Sequence, residues 1–245
     1  MMVGQKIFSL LLLLLSVLLS GCAGTGGNPR DPLEPMNRAV YQFNDKADHY
    51  VMKPVAEGYR AATPQGVRNS VRNFFSNLGD ASSMVNYSLQ GKPEPAFYSF
   101  SRFTLNSTAG VLGFFDVTGE SERRFPGTSF GDTFARWGWK NSSYLVLPLL
   151  GPSTVRDGTG VVAGAVFQNQ VVYGNPHDDA TLLSGVIGAI SVREKLLGLE
   201  DSVNNAALDP YSYVRDGWLQ IRSKTTGDAP VQSPDDEIDI DDLMQ

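Results

Sequence analysis

Gly127-Thr128-Ser129-Phe130-Gly131 reads GTSFG, which fits the serine-hydrolase elbow G-x-S-x-G, and the fold class turns on whether that fit has the context an elbow needs. An elbow joins a buried hydrophobic strand to a helix, with an acid and then a histidine further along the chain. Here Gly127 follows Glu122-Arg123-Arg124-Phe125-Pro126, a charged stretch ending in a proline that cannot donate to a sheet ladder. The histidines are His49 and His177, and His177 lies in Asn175-Pro176-His177-Asp178-Asp179, which reads as a turn and a helix start with aspartate as cap. The strand is missing and the histidine is badly placed. We therefore expect no catalytic residues, with a lipid hydrolase acting through Ser129 as the alternative to be tested.

Outward from this stretch the periodicity is helical. Met36, Val40, Phe43, Ala47, Tyr50 and Val51 recur on one stripe, and Lys53-Pro54 is the expected stop. Thr63-Pro64 reads as a cap with proline at the first helical position, followed by Val67, Val71, Phe74, Phe75 and Leu78 on one face. Tyr144 to Leu147 is a weak strand signal, short, followed by Pro148 and without a hairpin turn of the Asn-Gly kind. The expected class is all-α in a single domain over residues 31–225.

The central section is poor in charge. Between Glu94 and Asp116 the one charged residue is Arg102, and three further stretches up to Arg193 carry none between their bounding residues. Each is broken by Ser, Thr, Asn, Gly or Pro, whereas a spanning helix needs about 20 uninterrupted apolar residues. Such helices pack on one another or lie within one leaflet, with their small polar residues facing an interior. Gly160 and Gly164, four residues apart, allow two helices to approach closely; a loop or ordinary core packing is the other reading.

The ends of the chain say where the domain resides. Lys6, the apolar run from Ile7 to Leu19 and the small residues before Cys22 make residues 1–21 a secretory signal peptide. Leu19-Ser20-Gly21-Cys22 is a bacterial lipobox, so Cys22, the single cysteine, is the expected lipidation site, and no disulfide framework exists. Three acyl chains on that thiol would make attachment effectively permanent. Ala23 replaces the aspartate that typically retains lipoproteins at the inner membrane, so sorting to the outer membrane is expected. Residues 22–30 form a lipid-anchored linker and residues 226–245 an acidic, disordered tail. Setting aside Lys6 with the leader and the seven acids from Asp228 onward leaves 19 basic and 19 acidic residues. A neutral body excludes the basic surplus that nucleic-acid binding requires. Two histidines and one lipidated cysteine supply no metal site of ordinary ligand spacing.

Several strings together resemble the VacJ/MlaA family of outer-membrane lipoproteins: DPLEPMNRAVYQFND (31–45), MVNYSLQG (84–91), RFTLNSTAGVLGFFD (102–116), FGDTFARWG (130–138), YLVLPLLGPSTVRDGTG (144–160) and DPYSYVRD (209–216). The resemblance implies a ring-like helical domain around a central amphipathic channel, embedded in the inner leaflet of the outer membrane and facing the periplasm. It implies a trimeric outer-membrane porin as partner and a soluble periplasmic carrier that receives phospholipid. It implies removal of phospholipid misplaced in the outer leaflet, so that lipid asymmetry is maintained, without covalent chemistry. Bound phospholipid is then the transported ligand and no cofactor is expected. A passive lipoprotein scaffolding the envelope is a further alternative.

By the same resemblance, Phe43-Asn44 controls lipid access from the inner leaflet, the alternative being Phe43 in the core and Asn44 at the surface. Asn106, polar among apolar neighbours, is assigned to the headgroup path. Residues 118–129 correspond to a family loop shaping the channel opening, where Arg123 or Arg124 would contact lipid phosphate; a solvated loop is the alternative. One departure stands out: Lys140-Asn141-Ser142-Ser143 replaces the family's glycine before the tyrosine, and Asn141 is expected to take the left-handed turn conformation.

Overall fold

The computed structural model describes residues 28–119, 124–168, 179–197 and 208–229. Helix α1 (Glu34–Ala47) opens with an acidic residue and proline in its first turn, both favourable at a helix N-terminus. The expected stop at Lys53-Pro54 does not occur. The chain instead widens into a π-helical turn over Asp48–Met52, where the Lys53 N–H donates to the Asp48 carbonyl. It then continues as α2 (Lys53–Ala62) with Pro54 in its first turn. The wide turn absorbs the carbonyl clash and the missing donor that proline brings. The helix ends at Thr63, which is extended because Pro64 follows it. Helix α3 (Gln65–Leu89) starts one residue later than the Thr63-Pro64 signal suggests, with Pro64 itself as the flanking residue. Helix α4 (Pro93–Thr108) folds back along α3.

After a loop come α5 (Phe130–Arg136), strand β1 (Tyr144–Leu147), strand β2 (Gly151–Thr154) and α6 (Val155–Phe167). The two strands pair antiparallel, Tyr144 opposite Thr154 and Leu147 opposite Gly151. Tyr144–Leu147 therefore has the partner that the sequence reading denied it. The turn contains no Asn-Gly; its left-handed positions are Leu149 (φ 62°) and Gly151 (φ 81°), and the strain at Leu149 is held from outside by α1. Helices α7 (Asp179–Lys195) and α8 (Pro210–Thr226) complete the described elements.

The packing closes a ring. Helix α1 lies on β1, the hairpin on α6, α6 on α5, α5 on α3, α3 on α7, and α7 on α2, which continues from α1. Two glycines make a close approach in it. A Cβ on Gly160 would stand 2.4 Å from the Gly131 backbone nitrogen, so α5 and α6 touch backbone to backbone, and Gly131 of GTSFG serves packing. Gly164 has ordinary room beside Phe130.

Chain start and chain end meet on this ring. Asp31, 1% exposed, accepts hydrogen bonds from Asn37, Tyr211 and Arg215, while Arg38 grips Asp209 through two nitrogens. Arg30 donates to the Ala229 carbonyl at 2.8 Å. Thr226 and Asp228 are buried; Asp228 accepts from the wholly buried Arg156, from Thr226 and from the Asn141 N–H. Asp228, the first acid of the C-terminal run, is thus held inside the fold. Asn141 adopts φ 51°, the left-handed conformation expected of it.

The interior and exterior are inverted relative to a water-soluble bundle. Among the described residues twenty polar or charged ones are buried against eight hydrophobic ones, the reverse of an ordinary core. Large apolar side chains face outward instead: Phe97 is 70% exposed, Leu149 and Leu150 68%, Val162 65%. No described helix is long and apolar enough to cross a membrane.

Candidate functional site

Three cavities lie side by side. The first, about 640 Å³, has an apolar lining from α3 and α6, including Phe75, Leu78, Val161 and Phe167, with Trp218 of α8 beside them. The second, about 680 Å³, is a gallery of small polar residues: Ser76, Ser82 and Ser83 on α3 face Thr128 and Ser129. The third, about 500 Å³, is a vestibule that includes Lys92, Arg136, Lys140 and Lys224. Thr128 and Arg222 line all three, so the cavities adjoin one another, from an apolar one to a cationic one.

Arg222 stands at the junction. Its Nε and Nη2 donate to the two carboxylate oxygens of Asp157 at 3.1 and 2.9 Å, and its Nη1 donates to Asp132 at 2.8 Å. This clamp ties α8 to α5 and α6. Burial works against the charge on Arg222, but the bonds and charges of Asp157 and Asp132 outweigh it and raise the pKa. Burial likewise opposes ionisation of Asp132. The Arg222 charge and the Ser129 hydrogen bonds prevail and hold that carboxyl below its ordinary value.

Ser129 is committed to this scaffold. It is the N-cap of α5, accepting from the Asp132 N–H while its own N–H and hydroxyl donate to the Asp132 carboxylate at 2.8 Å. This is a capping box, with an extended, unpaired segment ahead of it and no strand among the described residues from 124 to 129. Nor is any group of three or more His, Cys, Asp or Glu placed to hold a metal among the described residues.

The residues singled out from sequence lie elsewhere. Cys22 and Arg123 fall outside the described residues. Phe43 is 54% exposed on the rim, so its core reading fails. Asn44 is half-buried and bridges α1 to the hairpin turn, donating to the Leu147 carbonyl at 2.9 Å and accepting from the Leu149 N–H at 2.7 Å; its surface reading fails as well. Asn106 is 3% exposed and braces the chain that follows α4, accepting from the Val117 N–H and donating to Thr118. Arg124 is on the outside, paired with Glu94 at 2.9 Å and lying over Phe125. None of these four is among the residues lining the three cavities. The cavity-lining charges that sequence reasoning missed are Asp132, Asp157 and Arg222, together with Lys92, Arg136, Lys140 and Lys224. Asp132 and Asp157 sit beside Gly131 and Gly158 inside the quoted strings, but Arg136 and the adjoining Arg156 stand just as near, so no local pattern set them apart.

A model of the MlaA lipoprotein family matches residues 29–225. The chain is 35% identical over 212 residues to the intermembrane phospholipid transport system lipoprotein MlaA of Shigella flexneri, covering 84% of this chain and 83% of that one. The protein of the same description from Haemophilus influenzae is 31% identical over 218 residues, 85% of this chain and 86% of its own. A solved structure concerned with the structural basis for maintenance of bacterial outer membrane lipid asymmetry contains a chain that is 32% identical. It superposes with a TM-score of 0.68, covering 80% of this chain and 98% of that one.

Proposed function

This chain belongs to the MlaA lipoprotein family, and from that premise we propose that it is a non-enzymatic conduit for phospholipid. In this reading it is anchored through Cys22, sits in the inner leaflet of the outer membrane and faces the periplasm. It draws misplaced phospholipid from the outer leaflet through its cavities and yields it to a soluble periplasmic carrier, beside a trimeric porin. The transported lipid is its ligand.

The observation that carries the reading is the inversion of polarity: apolar side chains on the rim, polar ones in the interior, and adjoining cavities, one apolar and one charged. A lipid is itself divided in that way, and burying its chains against Phe75 and Phe167 offsets the loss of membrane contact at roughly 25 cal/mol per Å² of apolar surface. The bonding of Ser129 within the capping box favours a conduit over a hydrolase, because its hydroxyl donates directly to the Asp132 carboxylate.

The test is a deletion strain. We expect phospholipid to accumulate in the outer leaflet, and the wild-type gene and a Ser129→Ala variant both to restore asymmetry. Normal surface lipid in the deletion strain, or a complementation that depends on the Ser129 hydroxyl, would refute the conduit.

A further inference from the structure

The vestibule concentrates a charge that the rest of the body lacks. From Cys22 to Gly227 acids and bases balance, yet among the residues lining this cavity five are cations, Lys92, Arg136, Lys140, Arg222 and Lys224, against one carboxylate, Asp132. Arg222 already satisfies Asp132 and Asp157. The other four form no ion pair among the described residues. Lys140 donates to the Thr226 carbonyl and Lys92 lies 5.8 Å over the Tyr87 ring, contacts that place each positive group without neutralising it. Four cations without a carboxylate partner among the described residues surround about 500 Å³ and repel one another, and an anion relieves that repulsion.

We propose that this vestibule is the subsite for the phosphate of a glycerophospholipid headgroup, and that it favours lipids of net negative charge over zwitterionic ones. The proposal rests on the conduit reading and adds a polarity to it. Lysine and arginine bind phosphate oxygens through charge-assisted hydrogen bonds, so the phosphate lodges among Lys92, Arg136, Lys140 and Lys224. The adjoining cavities then leave the acyl chains lying back past Arg222 toward Phe75 and Phe167. A phosphatidylglycerol head meets those cations with nothing to oppose them. A phosphatidylethanolamine head brings an ammonium group into the same field and is penalised. Free phosphate shares the chemistry of the charged end but has no use for the apolar one, and the lipid is the occupant that uses both.

The experiment uses the full-length acylated protein reconstituted with vesicles of equal phosphatidylglycerol and phosphatidylethanolamine, re-isolated, and the bound lipid analysed by mass spectrometry. The wild type is expected to carry the two lipids at a phosphatidylglycerol-to-phosphatidylethanolamine ratio about tenfold that of the vesicle, each exposed charge supplying a fraction of that factor. A Lys92→Gln, Arg136→Gln, Lys224→Gln variant alters three exposed side chains and is expected to hold less lipid in total, and what it holds at the vesicle's composition. Lys92→Arg with Lys224→Arg is expected to keep the enrichment. Lipid bound at vesicle composition by wild type and triple variant alike would overturn the subsite and leave the conduit standing, whereas no bound lipid in either would overturn the conduit. Loss of enrichment, with total lipid unchanged, on adding inorganic phosphate at concentrations where sulfate and chloride have no effect would reassign the vestibule to free phosphate and overturn the headgroup assignment.

Discussion

Asn37 takes the place of a third strand. It is wholly buried, its side-chain oxygen accepts from the Val146 N–H, and its amide donates to the Tyr144 carbonyl and to Asp31. One side chain thus closes the free edge of β1 and joins it to the chain start. In Asn37→Ala the Val146 N–H and Tyr144 carbonyl are left buried without partners, each at about 1–3 kcal/mol. We expect thermal denaturation several degrees lower than wild type, and Asn37→Asp to be no better, since it lacks the donor. Asp132 makes a second prediction, with its sign set by the depressed pKa. Its stabilising effect is complete above the unfolded-state value near 4 and is lost as pH falls through the lower folded-state value. Melting measured between pH 7 and pH 2.5 should fall at the acid end, and Asp132→Asn should melt lower at pH 7 with a flatter acid limb. At this scale the sequence was only partly legible. Asn37 and Asp132 lie in strings that mark the family, but beside their near partners each has one more than 80 residues away, and nothing local announces that pairing.

At the scale of elements, the ring depends on how closely α5 and α6 meet. Adding a methyl group at Gly160 drives a carbon into the Gly131 backbone, and neither neighbour is a flexible side chain that can swing away. Gly160→Ala should cost about 1–3 kcal/mol through overpacking despite the gain in helix propensity. Gly58→Ala is the matched control: a methyl group there meets nothing within 4 Å and should raise stability by about 0.5–1 kcal/mol. Chemical denaturation of both variants reads the difference, and equal stabilisation by the two would show that the crossing is loose. The spacing of Gly160 and Gly164 signalled a close approach, yet could not say that only Gly160 makes it or that Gly131 is the partner. The helices themselves were readable from their 3.6-residue stripes. The two errors, the stop at Pro54 and the solitary strand, share a cause: in each case the structure has a remedy outside the local pattern. For Pro54 it is the π-helical turn before it; for the hairpin it is Asn44, which holds left-handed Leu149 from another element.

For the whole molecule, the inverted polarity predicts where the protein can be at rest. Trp137 and Trp139 are 61% and 42% exposed on the rim, whereas Trp218 lines the apolar cavity. With Trp218→Phe, the emission that remains comes from the rim pair. We expect it to be strongly quenched in vesicles of lipids brominated along the acyl chains and little affected by acrylamide in the water. Emission equal to that in unbrominated vesicles would mean that this part of the rim does not touch lipid. The charge-poor central section foretold such a rim, because helices without charge must meet either each other or lipid. It did not foretell how much polarity would be drawn inside, since buried Asp31, Arg156 and Glu194 read in sequence like any surface charge.

The contact of Arg30 with Ala229 has a topological corollary. Since the two termini of the domain emerge side by side, a short peptide graft could fuse them, and the chain could be reopened at Gly91, in the turn between α3 and α4. Such a circular permutant would retain every helix-to-helix interface. The order in which the segments are strung is separable from the closed circuit they build.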